Sequence, residues 1–202
     1  MQGQPRVRPY RTGDSAAVTP ILYESSGGLY DRYAGSRKLA ERTIARALER
    51  EGSTASGEVV WVAEIDGDTA GAMAAMAFAE WTPRAHAFLR VTLRSIPPWR
   101  WPGALWIYRV GARAGTGPPE ACFYVDSLAT TEPFRRRGVA RALLAQAESR
   151  ALELGLGSVA LDTWVDNHAA LALYEGAGFS ELGRTRGRGG LPGGVLLLKE
   201  LA

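Results

Sequence analysis

The spacing of apolar and polar residues changes along the chain, and each change marks a predicted element. Short β-branched or aromatic stretches predict strands, whereas apolar residues three or four apart predict helices. The chain begins with a strand at RVRP, a turn at 12–14 and a helix that the glycine pair at 27–28 ends. Asp14 or Ser15 is expected to cap this helix. A second amphipathic helix is predicted over 30–50, followed by a flexible loop at GSTASG.

The middle of the chain predicts a hairpin and then an irregular helical segment. In EVVWVAEIDGDTAGAMAAMAFAE an Asp-Gly pair separates two apolar runs, which predicts a hairpin with its turn at 65–68. Segment 81–117 holds four of the six tryptophans together with Pro97, Pro98 and Pro102. We therefore predict one or two helices there, broken at a proline elbow.

The last third of the chain alternates strands with helices. ACFYVDSLAT, SVALDTW, FSELGRTRG and VLLLKEL predict strands, and NHAALALYEGAG predicts a short helix. A longer helix is predicted over 137–154, because its apolar residues follow one face. RGRGGLPGG is expected to be a loose loop. The chain is thus predicted to be one domain of mixed α/β class over 1–202, with segment 81–117 as an elaboration.

Composition narrows the classes of function. No apolar run approaches the roughly 18 to 20 residues of a membrane span, and the N-terminus has no hydrophobic signal region, so we expect a cytoplasmic protein without membrane partners. The lone Cys122 excludes an internal disulfide and fits a reducing compartment. Two histidines and one cysteine argue against a tight transition-metal site. Abundant alanine and glycine with only two lysines indicates a GC-rich, bacterial coding sequence.

The net charge of +3 is unevenly distributed. Between Trp81 and Pro119 there is no acid. The same stretch contains six arginines: Arg84, Arg90, Arg94, Arg100, Arg109 and Arg113. Nucleic acid could bind such a segment, but no recognisable reading module is present, so we expect no nucleic-acid partner.

The stretch FRRRGVARALL, residues 134–144, gathers three arginines and a glycine where a helix begins. A helix start leaves four backbone amides without partners and carries partial positive charge, which favours an anion. Gly138 lets the backbone approach a ligand, and the small Ala140 keeps the next turn open. A solvated basic helix start is the alternative, but it is electrostatically unfavourable without an anion. Neither GxxxxGK[ST] nor a GxGxxG after a strand occurs, so the stretch predicts a different kind of pyrophosphate cradle.

Two motifs resemble the GNAT N-acetyltransferase superfamily. FYVDSLAT followed by TEPFRRRGVARALL resembles its central motif, Arg/Gln-x-x-Gly-x-Gly/Ala, here residues 135–140. About forty residues on, NHAALALYEGAGF resembles its second motif, in which Asn167 precedes Tyr174 by seven residues. Two motifs in this order make the resemblance specific over 124–179. Thr130 stands where the family often has valine, and segment 81–117 is longer than the usual connection.

The resemblance implies a fold and a co-substrate. The fold is a mixed, mostly antiparallel sheet of six or seven strands flanked by helices, with a helical insertion before the central strand. Two splayed parallel strands, FYVDSLAT and SVALDTW, form the cleft for acetyl-CoA, the acetyl donor. The pantetheine arm would pair with the backbone of Leu128, Ala129 and Thr130. The remaining implied cofactor-binding residues are Arg135, Arg136, Arg137, Gly138, Val139, Ala140, Arg141, Asn167 and Tyr174.

The resemblance also implies a role for the tyrosine of the second motif. Asn167 and Tyr174 lie on one helix face, because seven residues make about two turns. The Tyr174 hydroxyl would donate a hydrogen bond to the coenzyme sulfur as thiolate leaves. A buried aromatic packed on the sheet is the alternative for Tyr174. Asn167 can cap its helix and contact the cofactor at once.

An acceptor amine must lose a proton before it attacks a thioester. Asp126 on the central strand is our candidate for the base or for an anchor of the amine, and an ion pair with an arginine would explain it equally well. Glu80, His86 and a water chain to solvent are alternatives, and we read His168 as a surface residue. Cys122 lies too early on its strand for a covalent intermediate.

The sequence leaves three functions open. The first is transfer of acetyl to a primary amine of a small molecule or protein, by direct attack in a ternary complex. The second is a sensing domain that binds acyl-CoA without transfer, and the third is transfer of another acyl group. Segment 81–117 is expected to be a lid, a homodimer surface or a packed flap. If its arginines rim the acceptor pocket, they would favour an acidic acceptor over a polyamine.

Overall fold

A computed structural model describes residues 3–112, 117–187, 190 and 192–201, with the backbone alone at 110–112. In these residues one sheet of seven strands has the order β1-β2-β3-β4-β5-β7-β6. Only the β4–β5 pair is parallel among the described pairs. The mixed, mostly antiparallel sheet predicted from the sequence is therefore confirmed. The strands are β1 (Arg6–Pro9), β2 (Val60–Ile65), β3 (Asp68–Ala77), β4 (Phe123–Thr130), β5 (Ser158–Trp164), β6 (Ser180–Arg184) and β7 (Gly194–Glu200).

The described residues also form seven α-helices on the two faces of the sheet. They are α1 (Ser15–Ser25), α2 (Leu29–Ala34), α3 (Arg37–Leu48), α4 (Phe78–Ser95), α5 (Trp101–Ala112), α6 (Val139–Glu153) and α7 (His168–Glu175). The proline elbow separates α4 from α5, as predicted. None of the helices described is long and apolar enough to cross a membrane. Residues 188–189 and 191 of the predicted loop, and Arg113 of the arginine-rich segment, lie outside the described residues.

Near the N-terminus one local prediction was wrong, and another was right in position but not in its hydrogen bond. The single helix predicted over 30–50 is two helices, because Gly35 adopts φ 90° and Ser36 starts a new helix by accepting a hydrogen bond from the Leu39 amide. Asp14 stands at the N-cap position of α1, but its carboxylate makes no cap bond. It instead accepts bonds from the Arg8 guanidinium and the Arg11 amide, so the ion pair with β1 takes the place of the cap.

The core lies on both faces of the sheet. On one face α6 buries Val139, Leu143 and Leu144 against strand residues that include Met73 and Leu161. On the other face, α1 and α3 pack Val18, Leu22 and Ile44 on β2 and β3, against Val62 and Ala72. Burial of each such side chain contributes about 1.5–3 kcal/mol to stability. The two layers hold the sheet rigidly around its central strands.

The two parallel strands pair over three residues and then separate. Phe123, Tyr124 and Val125 pair with Val159, Ala160 and Leu161. Beyond these pairs β4 stays bonded to β3 as far as Thr130, and β5 stays bonded to β7 as far as Trp164. The facing edges of β4 and β5 therefore open into a wedge, as the predicted splay requires.

Asp126 is the extra residue of a β-bulge at the point of this separation. Ser127 pairs with Ala74 and Val125 pairs with Ala75, so Asp126 has no opposite residue on β3. A bulge bends its strand and redirects the side chain of the extra residue. The bulge thus coincides with the residue at which β4 leaves β5.

Candidate active site

The wedge opens into a cleft of about 1580 Å³. Its walls come from the β4 and β5 edges, from the starts of α6 and α7, and from α2, α4 and α5. Most of the residues predicted from the sequence line this one cleft. They are Asp126, Leu128, Ala129, Thr130, Arg135, Arg136, Gly138, Val139, Ala140, Arg141, Asn167 and Tyr174.

The loop before α6 contains two residues with left-handed backbone conformations. Arg136 and Gly138 adopt left-handed conformations, with φ 63° and 81°, and such alternation forms an anion-binding concavity. The first-turn amides of α6 have no intrahelical acceptor, and the capping residue Gly138 has no side chain to supply one. Gly71 on β3 lets the helix start lie close to the sheet, because a Cβ there would meet Val139 at 2.7 Å.

The arginines of this loop have two different environments. Arg135, Arg136 and Arg141 are exposed and line the cleft. In the part of the chain that the structure describes, no carboxylate forms an ion pair with any of these three. Arg137 instead lies over the Phe134 ring at 5.1 Å and does not line the cleft. The side-chain contribution expected from Arg137 therefore has no geometric support, although its backbone amide belongs to the same loop.

Asp126 lies in the wedge with a neutral partner. The Trp81 indole Nε1 donates a hydrogen bond of 2.7 Å to its carboxylate. Burial raises the pKa of Asp126 to about 6, although the Trp81 bond opposes this, and the charge of Asp162 adds to the rise. The sequence analysis had considered an arginine as the partner of Asp126, but the partner is Trp81. Among the described residues no arginine forms an ion pair with Asp126.

Asp162 on β5 is a second carboxylate in the wedge, and the sequence analysis did not identify it. The Tyr124 hydroxyl donates a hydrogen bond to it from β4. Water reaches Asp162 through the open cleft, but the surrounding protein walls reduce its hydration and raise its pKa. The available signal was an acid within the otherwise uncharged strand SVALDTW, the same signal that pointed to Asp126.

Tyr174 on α7 completes the group of ionisable residues in the wedge. Its side chain is only 7% exposed and packs on the Phe179 ring, yet it lines the cleft. Burial, with the charge of Asp162, raises the pKa of Tyr174 to about 12. The hydroxyl is therefore protonated at neutral pH and can act as a donor.

Asn167 is both a helix cap and a cleft residue. Its Oδ1 accepts a hydrogen bond of 3.3 Å from the Ala170 amide at the start of α7. Its Nδ2 donates to the Thr163 hydroxyl at 3.1 Å, which joins α7 to the end of β5. Asn167 therefore caps the helix that carries Tyr174, which is one of the two roles predicted for it.

The inserted helices supply an aromatic wall to the cleft. Trp81, Phe88, Leu89, Ile107 and Tyr108 of α4 and α5 line it together with Tyr30 and Tyr33 of α2, and the Tyr30 and Phe88 rings are in contact. None of the described arginines of segment 81–117 lines the cleft, and Arg84 is paired with Glu58 and Glu80. The expected basic rim is thus not found in the described residues.

The other candidate groups lie elsewhere. Glu80, His86 and His168 are not among the residues that line the cleft. Cys122 is fully buried, and burial raises the pKa of its thiol to about 11, so the thiolate is disfavoured. Of these candidate bases, Asp126 is therefore the one that lines the same cleft as Tyr174.

A sheet that splits between two parallel strands, with an amide-rich helix start at the split, is the architecture of an acyltransferase class that the sequence motifs had indicated. Residues 28–179 match the acetyltransferase (GNAT) family model, and the chain belongs to that family. No curated protein sequence matches the chain significantly.

Solved structures share the fold along nearly the whole chain. An N-acetyltransferase from Staphylococcus aureus Mu50 has a TM-score of 0.72 and 18% identity over 96% of this chain and 99% of its own. A crystal structure described as an acetyltransferase has a TM-score of 0.67 and 16% identity over 98% and 100%. Ard1 from Thermoplasma volcanium has a TM-score of 0.57 and 15% identity over 98% of both chains. At such identities these likenesses show the fold alone.

Proposed function

We propose that the protein is an N-acetyltransferase that transfers acetyl from acetyl-CoA to a primary amine by direct attack in a ternary complex. One observation carries the proposal: a single cleft joins an unneutralised anion-binding helix start to a wedge lined by Tyr174 and Asp126. The first feature suits a pyrophosphate, and the second suits proton transfer at a thioester. Cys122 is buried and stays protonated, and a thiol is a much poorer nucleophile than a thiolate. This favours direct attack by the amine over an acyl-enzyme intermediate on Cys122.

The donor is held, in this proposal, by backbone more than by side chains. The unpaired β4 edge at 128–130 would bond the pantetheine amides as an added strand. The amides over 136–141 would bind the pyrophosphate, with Arg135, Arg136 and Arg141 adding charge-assisted hydrogen bonds. This division explains why a glycine and a positive φ occur where the chain approaches the phosphates.

Asp126 and Tyr174 then have separate roles in proton transfer. The bound ammonium first loses one proton to water in the open cleft. As the neutral amine nitrogen bonds to the carbonyl carbon, the C–S bond breaks and the nitrogen gives up its second proton to Asp126. Tyr174 donates a hydrogen bond to the departing sulfur and transfers its own proton late, so that coenzyme A leaves as a thiol. Water in the cleft then returns a proton to Tyr174 and takes the proton from Asp126. With the pKa of Tyr174 near 12 and a thiol reference near 8.5, the hydrogen bond strengthens well before any proton transfer is complete.

The first experiment is thermal unfolding of the purified protein with acetyl-CoA, and with NAD and ATP as controls. Acetyl-CoA at about 100 times its dissociation constant should add roughly 2.7 kcal/mol to the free energy of unfolding. The second measures release of the coenzyme thiol with a panel of primary amines, using propionyl-CoA and succinyl-CoA as alternative donors.

These two measurements separate the alternatives. A shift with acetyl-CoA and amine-dependent thiol release support the proposal. A shift without thiol release from any donor would instead indicate a sensing domain. No shift at millimolar acetyl-CoA would overturn the proposed function.

A further inference from the structure

We infer that the acceptor is an arylalkylamine: a primary amine with an aromatic body, no carboxylate beside the nitrogen and no second cation. This inference rests on the proposed function and names the substrate class of that site. It depends on the charges in the wedge and on the cleft lining that continues from them.

The charge at the acceptor end of the cleft is negative. Asp126 and Asp162 stand on the separating strands, and their bonded partners, the Trp81 indole and the Tyr124 hydroxyl, are both neutral. The cations that line the cleft lie at the start of α6, apart from the exposed Arg186 after β6. An ammonium group is therefore attracted to the wedge, whereas a carboxylate attached beside it is repelled by both acids.

The third acid in the lining, Glu24, already has a cationic partner. Glu24 at the end of α1 forms an ion pair of 3.2 Å with Arg37. Asp126 and Asp162 are thus the acids of the lining, among the residues described, that an acceptor cation can engage.

The cleft lining that continues from Asp126 through Trp81 is mainly aromatic and aliphatic. It is formed by Tyr30, Tyr33, Phe78, Trp81, Ala85, Phe88, Leu89, Ile107 and Tyr108. Ring contacts hold it together, with Tyr30 against Phe88 and His86 against Tyr108, each at 5.7 Å between centroids. Aromatic walls favour an aromatic ligand body over a hydrated chain.

The wall also argues against a diamine. Its described residues include no carboxylate, so a second ammonium extending along it would exchange water only for neutral partners, the tyrosine hydroxyls and the ring faces. Trp81 belongs both to the wall and to the Asp126 hydrogen bond. The amine end and the aromatic end of an acceptor are therefore bound by connected surfaces.

The test measures binding separately from transfer. The wild-type protein is saturated with coenzyme A, which has no acetyl group to transfer, and is titrated by calorimetry with four probes: 2-phenylethylamine, L-phenylalanine, ethylamine and 1,4-diaminobutane. L-phenylalanine adds the carboxylate, ethylamine removes the ring, and 1,4-diaminobutane adds the second cation. We expect 2-phenylethylamine to bind about tenfold tighter than ethylamine and 1,4-diaminobutane, and about 100-fold tighter than L-phenylalanine.

A variant links the preference to the wedge. In the same titration, Asp162→Asn should weaken 2-phenylethylamine binding by about tenfold. The difference in affinity between 2-phenylethylamine and L-phenylalanine should also become smaller, because one repelling charge is removed. Leu182→Ala is the matched control, since Leu182 is exposed and lies outside the cleft. It should change none of the four affinities.

Three results would overturn the inference. L-phenylalanine could bind tighter than 2-phenylethylamine, 1,4-diaminobutane could bind tighter than 2-phenylethylamine, or no probe could bind. The same probes are then tested for thiol release by the wild-type protein. Transfer to L-phenylalanine alone would retain the proposed function and reject this acceptor class. Selective binding of 2-phenylethylamine without transfer would retain the ligand class and reject the proposed function.

Discussion

The Trp81 indole donates a hydrogen bond of 2.7 Å to the Asp126 carboxylate, which joins the inserted helix α4 to the bulge in β4. The two largest contributions to the pKa of Asp126 oppose each other. Burial favours the neutral acid, whereas the indole hydrogen bond favours the carboxylate. With a pKa of about 6, Asp126 is mostly ionised at neutral pH and is a stronger base than an ordinary aspartate. The insertion thus tunes the group that we assign as base.

Replacing Trp81 by phenylalanine should move the acid limb of the activity profile. The ring is kept but the donor is lost, so the pKa of Asp126 rises further, and the limb of kcat/KM near pH 6 shifts upward by about one pH unit. The measurement is kcat/KM against pH with one amine. Trp99→Phe is the control, because Trp99 is 78% exposed outside the cleft. An unmoved limb would exclude Asp126 as its source.

Asp126→Asn should stabilise the protein while it impairs catalysis. The folded-state pKa is raised above the unfolded value, so the folded protein binds this proton more tightly, and stability is lost as pH rises from about 4 through about 6. Removing the charge should therefore add about 1–2 kcal/mol to the free energy of unfolding at pH 7.5, and almost nothing at pH 4.

Urea denaturation at the two pH values checks this, and the same protein should lose about 100-fold or more in kcat/KM. Asp68→Asn serves as the control, because Asp68 is exposed at the start of β3. Lower stability of Asp126→Asn at neutral pH would show that the carboxylate is structural.

The sequence predicted the parts of the site that depend on local chain geometry. The start of α6 is specified within a few residues, since Gly138 and the arginines fix the loop and its free amides together. The same holds for Asn167 and Tyr174, which share one short helix. Gly35 and Ser36 carried an equally local signal for the break between α2 and α3, which the amphipathic pattern over 30–50 concealed.

The parts that were missed depend on contacts between distant segments. Asp162 becomes a neighbour of Asp126 only because β4 and β5 pair and then separate. The charge count of segment 81–117 could not show that its helices turn aromatic residues toward the cleft, with Arg84 paired to Glu58 and Glu80. The expectation of an acidic acceptor came from that count, whereas the wedge favours a cation.

Tyr174→Phe separates the catalytic from the packing role of this tyrosine. The ring that packs on Phe179 is kept and only the donor is removed, so kcat should fall by about tenfold or more while acetyl-CoA affinity stays nearly unchanged. Thiol release measured at fixed times gives kcat, and calorimetry gives the affinity for acetyl-CoA. Tyr10→Phe removes a hydroxyl outside the cleft and should leave both values alone. Equal losses of kcat and affinity in Tyr174→Phe would point to packing instead.

Arg136 and Arg137 are adjacent, but we expect opposite consequences from replacing them. Asparagine is the substitute at both positions, because it tolerates the left-handed backbone that Arg136 adopts at φ 63°. Arg136→Asn should weaken acetyl-CoA binding by about tenfold, since a charge that lines the cleft is lost. Arg137→Asn should leave the affinity within about twofold and lower stability by about 1 kcal/mol, because its guanidinium packs on Phe134. Calorimetry and thermal unfolding of both variants check this, and similar losses of affinity in the two would place the Arg137 side chain at the phosphates after all.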